Sequence, residues 1–233
     1  MPHGIFITFE GIDGAGKSTH VKRLAKYLQE RAIPAIVTRE PGGTRIGEQI
    51  RHLLLHPDIG KMTSLTELIL MYAAREQHLD EVVRPALARG RVVVSDRYND
   101  ASFAYQGYGR MLGVRTVRAI DKIICGRTQP DLTLLLDLDP RTALERARRR
   151  NSHRRSRDTR FENHGLKFQG RVRAGYLALA RQQPRRIKVI RGDRPPAQIQ
   201  AEIRKLVDTL LAKHLRLGST VGQARRTSRS RSR

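Results

Sequence analysis

The chain has 233 residues, with 46 Lys and Arg against 22 Asp and Glu, a formal net charge of +24. That length supports one substantial hydrophobic core, and that charge favours anionic partners: nucleotides, nucleic acid or an anionic surface. No apolar run approaches the ~20 residues of a membrane-spanning helix, "MPHGIF" lacks the parts of a secretory leader, and a lone Cys125 excludes an internal disulfide framework, so a cytoplasmic protein without a membrane partner is expected.

In chain order, "GIFITF" (4–9) is a continuous apolar run suited to a strand buried on both faces. A glycine-rich loop follows it and opens a helix over 17–31. "AIVT" (35–38) is the second strand, and "TREPGGTRIGEQIR" (38–51) leads from it into a helix over 45–55. A long helix is predicted over 64–89, with Ser64 and Glu67 at capping-box spacing. "RVVVS" (91–95), a helix over 114–125 and "LTLLLDL" (132–138) come next. Asp139-Pro140 sets an N-cap before a proline, starting a helix over 140–150. A helix over 166–181, the strand "RIKVI" (186–190) and a helix over 196–216 close the fold, the last with Ile199, Ile203, Leu206, Leu210 and Leu211 on one stripe. Strands alternating with helices predict an α/β fold with an open, doubly wound, five-stranded parallel sheet flanked by helices. Residues 1–217 form the single domain, and 218–233, "GSTVGQARRTSRSRSR", have no apolar periodicity and are expected to be a disordered basic tail.

The loop Gly11-Ile12-Asp13-Gly14-Ala15-Gly16-Lys17-Ser18, followed by Thr19, fits G-x-x-x-x-G-K-[ST]. Glycines let the backbone curl until its N–H groups face phosphate oxygens, and the helix behind adds its positive end. Lys17 reaches the β- and γ-phosphates and Ser18 offers a hydroxyl to Mg²⁺. A strand before the loop and a helix after it make this an ATP-type triphosphate site in a P-loop NTPase fold. No N-K-x-D tetrapeptide is present to read guanine.

The other charged stretches concern what else is bound. "VVVSDRYNDASFAYQG" (92–107) places Asp96 at a strand end, where a carboxylate can hold the water shell of Mg²⁺. Arg97 projects a bidentate phosphate fork into the same crevice, unless it pairs with Asp96. Arg39, Glu40 and Arg51 fall near that crevice, whereas Arg75 in "MYAAREQH" reads from the residues alone as solvated helix surface.

Taken together, "FEGIDGAGKST", "TREPGGT", "YAAREQH", "DRYNDASFAYQG", "PDLTLLLDL" and "RVRAGYLALA" resemble, in chain order, the thymidylate kinase family, from about Ile5 to about Leu215. The resemblance implies transfer of phosphate from ATP to dTMP, with Mg²⁺, in dTTP biosynthesis, by a homodimer with a mobile lid at about 148–165. It implies that Arg97 and Arg51 hold the monophosphate and that Arg75, Ser102 and Gln106 read the thymine edge. Tyr105 would lie against the deoxyribose, Asp13 near the 3′-hydroxyl and the metal, and Glu40 near the acceptor phosphate. Met71 stands where the family often stacks a phenylalanine on thymine. One branch of the family carries an arginine at the position of Gly14, and the other supplies it from the lid. Thr159-Arg160-Phe161-Glu162 matches the lid pattern, with Thr159 in place of an aspartate, so Arg160 is the implied catalytic arginine beside Lys17 and Arg97.

Two alternatives stay open from the residues: another nucleotide or deoxynucleoside kinase, and a nucleic-acid-binding P-loop protein without kinase activity. The Arg-Ser tail favours the second mildly, through a weak contact with nucleic acid. His52 and His56 are four residues apart but lack a third metal ligand at matching spacing.

Overall fold

The structure is a computed structural model that describes residues 4–56, 59–154 and 165–229, and the side chains among these except at 150–154 and 216–229. Its strands are β1 (Ile5–Glu10), β2 (Ala35–Arg39), β3 (Val92–Asp96), β4 (Leu132–Asp137) and β5 (Ile187–Arg191). They form one parallel sheet in the order β2-β3-β1-β4-β5. Each lies within one residue of its predicted run, because a continuous apolar run can only be buried between two layers. β1 is buried throughout, and its neighbours β3 and β4 nearly so.

The helices are α1 (Lys17–Glu30), α2 (Arg45–Leu55), α3 (Ser64–His78), α4 (Arg84–Ala88), α5 (Asn99–Ser102), α6 (Val114–Ile124), α7 (Pro140–Arg154), α8 (Gly165–Gln182) and α9 (Pro196–Arg229). Val21, Leu24 and Leu28 of α1 and Ile199, Ile203 and Val207 of α9 are buried in the common core. Asp139 Oδ1 accepts from Arg141 N at 2.9 Å, so the predicted cap of α7 is formed.

Three local expectations change. The single helix predicted over 64–89 is interrupted by a π-helical turn, Leu79–Val83, between α3 and α4. The segment Asn99–Gly109, outside the predicted helices, is helical, and Phe103–Gly109 is again a π turn, a form often found at functional sites. The cap of α3 is Thr63, whose hydroxyl accepts from Thr66 N at 3.2 Å, and not Ser64. Glu67 is thereby released from the capping box and turns inward, fully buried. The helix α9 enters residues 218–229 of the segment expected to be a tail, whose assignment stays an expectation. Residues 155–164 of the expected lid, with Thr159 and Arg160, lie outside the described residues.

The topology fixes where the site falls. Crossovers from β1 go one way to β2 and β3 and the other way to β4 and β5, so ligands are expected beyond the carboxyl ends near β1 and β3. Register places Phe9 beside Asp96 and Arg39 beside Asp96. Glu40 N then donates to Asp96 O at 3.0 Å, and Arg97 N to Phe9 O at 2.9 Å. The ends of β2, β3 and β1 are thus tied edge to edge.

Candidate active site

A cavity of about 840 Å³ opens at those strand ends. Asp13 to Thr19 line it, together with Glu40, Arg51, Met71, Arg75, Asp96, Arg97, Ser102, Tyr105 and Gln106. Gly11 and Ile12 do not line it. Their carbonyls instead accept from Lys17 Nζ at 3.0 and 2.9 Å, which anchors the ammonium under the loop. Burial, then the nearby charge of Arg97, pushes Lys17 down to about 8, so a bound polyphosphate would relieve an unfavourably buried cation.

Gly14 is required sterically. Its φ is +87°, and a Cβ there would lie 1.9 Å from the carbonyl oxygen of Ala143 in α7. An arginine at this position, as in the other branch of the resembled family, would meet the same carbonyl. Gly14→Ala is expected to cost at least about 1–2 kcal/mol from the left-handed backbone alone, with the clash adding to it. Thermal melting with and without ATP checks this, the variant melting lower and gaining less from the nucleotide.

Ser18 Oγ donates to Asp96 Oδ2 at 2.6 Å, so hydroxyl and carboxylate stand together at the foot of the loop. Asp96 does not pair with Arg97. The Arg97 fork instead donates to Asp13 Oδ1 at 2.7 Å, Tyr105 Oη at 3.0 Å, Tyr176 Oη at 3.0 Å and Gly11 O at 2.9 Å. Its φ of 74° is unusual for a non-glycine residue, and such strain persists only where neighbours over-determine it. Here Phe9 O takes its N–H, and Ser95 Oγ donates to its carbonyl at 2.7 Å.

Arg75 is not solvated surface; it is 2% exposed. Its Nε donates to Glu40 Oε2 at 2.7 Å, Nη1 to Ser102 Oγ at 3.0 Å and Nη2 to Tyr98 O at 3.1 Å, and its guanidinium lies over the Tyr72 ring. Glu40 also accepts from His78 Nδ1 at 2.9 Å, and His78 Nε2 is 2.6 Å from Thr38 Oγ1. Burial alone would raise Glu40, but Arg75 and then His78 hold it below the usual carboxylate range. Gly43 closes the loop over this chain, since a Cβ there would lie 2.7 Å from the His78 ring. Arg51 Nη1 donates to Pro41 O at 3.0 Å, which bridges α2 to the same loop.

Beneath Arg97 sits Glu10, fully buried, accepting from Tyr98 N and Tyr176 Oη, both at 2.7 Å. Burial lifts its carboxyl to about 7, against the pull of Arg97 and with a further lift from Asp100. The folded value lies above the ordinary 4.5, so Glu10 is least costly below pH 4.5 and its stability contribution is lost as pH rises through 7. Between wild type and Glu10→Gln, the stability difference should therefore move by roughly 3 kcal/mol against the wild type from pH 4 to pH 8. Urea unfolding of both at several pH values measures it.

Residues that the sequence reading did not assign also line the cavity. Arg146, Gly192, Arg194, Pro196 and Ile199 form its far end beyond the loop, where Arg146 Nη1 donates to Gly192 O at 3.2 Å. Their signal was positional: "RGDRPP" (191–196) follows β5 at the carboxyl edge of the sheet, where ligands bind. His78 and Glu67 had no such signal.

A phosphate-binding loop and a cluster of arginines lining the same cavity, Arg51, Arg75 and Arg97, define a P-loop kinase. The chain belongs to the thymidylate kinase family: the family model described as "Thymidylate kinase" matches residues 9–203. It is 45% identical over 209 residues to the thymidylate kinase of Desulfovibrio desulfuricans, covering 89% of this chain and 96% of that one. It is 50% identical over 186 residues to that of Syntrophotalea carbinolica, covering 79% and 86%. The crystal structure of thymidylate kinase from Ehrlichia chaffeensis superimposes with a TM-score of 0.72 at 30% identity, covering 88% of this chain and all of that one.

Proposed function

We propose that the chain transfers the γ-phosphoryl group of ATP to dTMP, forming dTDP, and that Mg²⁺ is the metal. The observation that carries this is the one cavity shared by the phosphate loop and by Arg51, Arg75, Arg97 and Gln106.

The acceptor dTMP is already an anion, so no strong general base is required of the chain. What the residues must supply is charge compensation and alignment of two mutually repelling phosphates. Lys17 and the loop amides take the donor phosphates, while Arg97, with Arg51, takes the acceptor phosphate. Tyr105 accepts from Arg97 and donates to Asp13 Oδ2 at 3.2 Å, which ties the fork to the phosphate loop. Arg160, from the lid, would meet charge on the transferring group. Ser18 and Asp96 are oxygen donors of the kind a hard ion takes while keeping most of its waters, and they would hold Mg²⁺. When bound, that ion neutralises charge on the β- and γ-phosphate oxygens.

Arg75, held by Glu40, Ser102 and Tyr98, offers donors to a base carbonyl, and Gln106 stands beside it. Met71 presents an apolar, polarizable side chain to the base without an aromatic face. ADP release with dTMP, dUMP, the ribose analogue of dTMP, dCMP, dGMP and thymidine tests the reading. dTMP is expected to be the best acceptor, and a preference for thymidine would overturn it. A homodimer, a cytoplasmic location and weak nucleic-acid contact through 218–233 belong to the same reading. Sedimentation velocity and salt-dependent retention on DNA test the first and last.

A further inference from the structure

We infer that Glu67 is a specificity-determining residue for the acceptor base: it fixes which end of the Gln106 amide meets the base. The inference rests on the reading of Gln106 as a base contact.

A glutamine amide is nearly symmetric in shape, with a donor on one arm and an acceptor on the other. Turned one way it suits a base with an N–H, and turned the other way a base with a ring lone pair. Here the choice is made by its buried neighbour. Gln106 Nε2 donates to Glu67 Oε1 at 2.9 Å, and both side chains are buried, Glu67 completely. The carboxylate is itself held by Arg110, whose Nε donates to Oε1 at 3.1 Å and Nη2 to Oε2 at 2.7 Å. Arg110 is in turn braced over the Phe168 ring at 5.1 Å. Because an ion-paired carboxylate only accepts, turning the amide over would set oxygen against oxygen between two buried side chains. With Nε2 held on Glu67 the amide cannot turn over, so its carbonyl oxygen, its only acceptor, is kept on the arm away from the carboxylate, in a side chain that lines the cavity.

Four residues before Gln106, Ser102 accepts from Arg75, which can only donate, and all three line the same cavity. The cavity thus presents a donor together with an acceptor. Thymine carries the complement, the O4 acceptor next to the N3–H donor. Cytosine carries the reverse, an amino donor next to the N3 lone pair. A buried group left facing its own kind costs about 1–3 kcal/mol, and sites built this way discriminate far better than apolar pockets. Were Gln106 free to turn, it could satisfy cytosine N3 and recover part of that loss. Glu67 removes this freedom, which is specificity by exclusion of the wrong partner.

The test is kcat/KM for dTMP, dCMP and 3-methyl-dTMP, which lacks the N3–H, in wild type and Glu67→Gln. Glutamine at position 67 can pair with Gln106 in either orientation, so the preference for dTMP over dCMP should fall about ten- to hundredfold, with KM for ATP unchanged. A purely structural role would lower both acceptors alike. If Glu67→Gln does not fold, Glu67→Met/Arg110→Met removes the ion pair as a unit and leaves no uncompensated charge; the same fall is expected. A folded variant of either kind that keeps the wild-type preference overturns the inference. The methylated substrate separates the two levels. Wild type using 3-methyl-dTMP as readily as dTMP would overturn the reading of Gln106 itself. Rejection of it, together with an unmoved preference in Glu67→Gln, would overturn the role of Glu67 alone.

Discussion

Lys17→Ala is expected to lower phosphoryl transfer by on the order of 10³-fold while leaving a protein at least as stable as the wild type. The two halves have one cause. The ammonium is buried under the phosphate loop against the carbonyls of Gly11 and Ile12, and its affinity for a proton is lowered there to about 8. A lysine whose folded pKa lies below its ordinary 10.5 costs stability at every pH below about 8, and that cost is relieved only as pH rises toward 10.5. Its removal at pH 7 therefore relieves a strained cation, while Gly11 O keeps the bond it accepts from Arg97. Transfer, by contrast, would lose the fixed positive charge that the proposed reading sets against the donor phosphates. Steady-state ADP release gives the first half. Thermal melting gives the second, with a melting temperature at or above wild type and a reduced shift on adding ATP. Near-normal turnover would contradict the assignment of the loop.

Arg97→Lys should lower kcat for dTMP by about 10²-fold although it keeps the charge. The structure uses the shape of the guanidinium: one nitrogen bridges Asp13 and Tyr105, and the other bridges Gly11 O and Tyr176. An ammonium on a flexible stem cannot span both pairs. It would also leave Asp13 and Glu10 with a weaker counter-charge, since Arg97 is the principal group lowering the Glu10 carboxyl. ATP affinity, measured by displacement of a fluorescent nucleotide, should stay close to wild type if, as proposed, the donor phosphates rest on the loop amides and Lys17. Equal weakening of ATP and dTMP would place Arg97 on the donor side instead.

Much of this arrangement was legible in the residues, and the reasons differ by element. The strands were, because short apolar runs alternating with helical stretches fit a parallel sheet, whose central strands β1, β3 and β4 are buried on both faces. The phosphate loop was, because its glycines, lysine and serine are dictated by the ligand more than by packing. The helix ending at Gly109 was not. "NDASFAYQG" mixes polar residues and glycine, and a π turn does not repeat at 3.6 residues, so no apolar stripe marks it.

Nor could the buried polar layer be read. Arg75, His78 and Glu67 sit on one helix with the composition of a solvated face, and only the packing of Glu40, Ser102, Gln106 and Arg110 against them shows that they point inward. Glu67 illustrates the limit most clearly. Its spacing from Ser64 suggested a cap, and a shift of one residue in the true cap, to Thr63, sends the same carboxylate into the core. The family resemblance reached Arg75 and Gln106 where the residues alone did not, but it carried no information about what holds them.

The most direct measurement of the central claim follows the phosphoryl group itself. ATP labelled at the γ-phosphate is incubated with the protein, Mg²⁺ and dTMP, and the products are separated. The label is expected in dTDP, in a one-to-one ratio with ADP, and only when dTMP is present. Label released as inorganic phosphate without regard to dTMP, or label appearing as dTMP when thymidine is supplied in preference to dTMP, would contradict it.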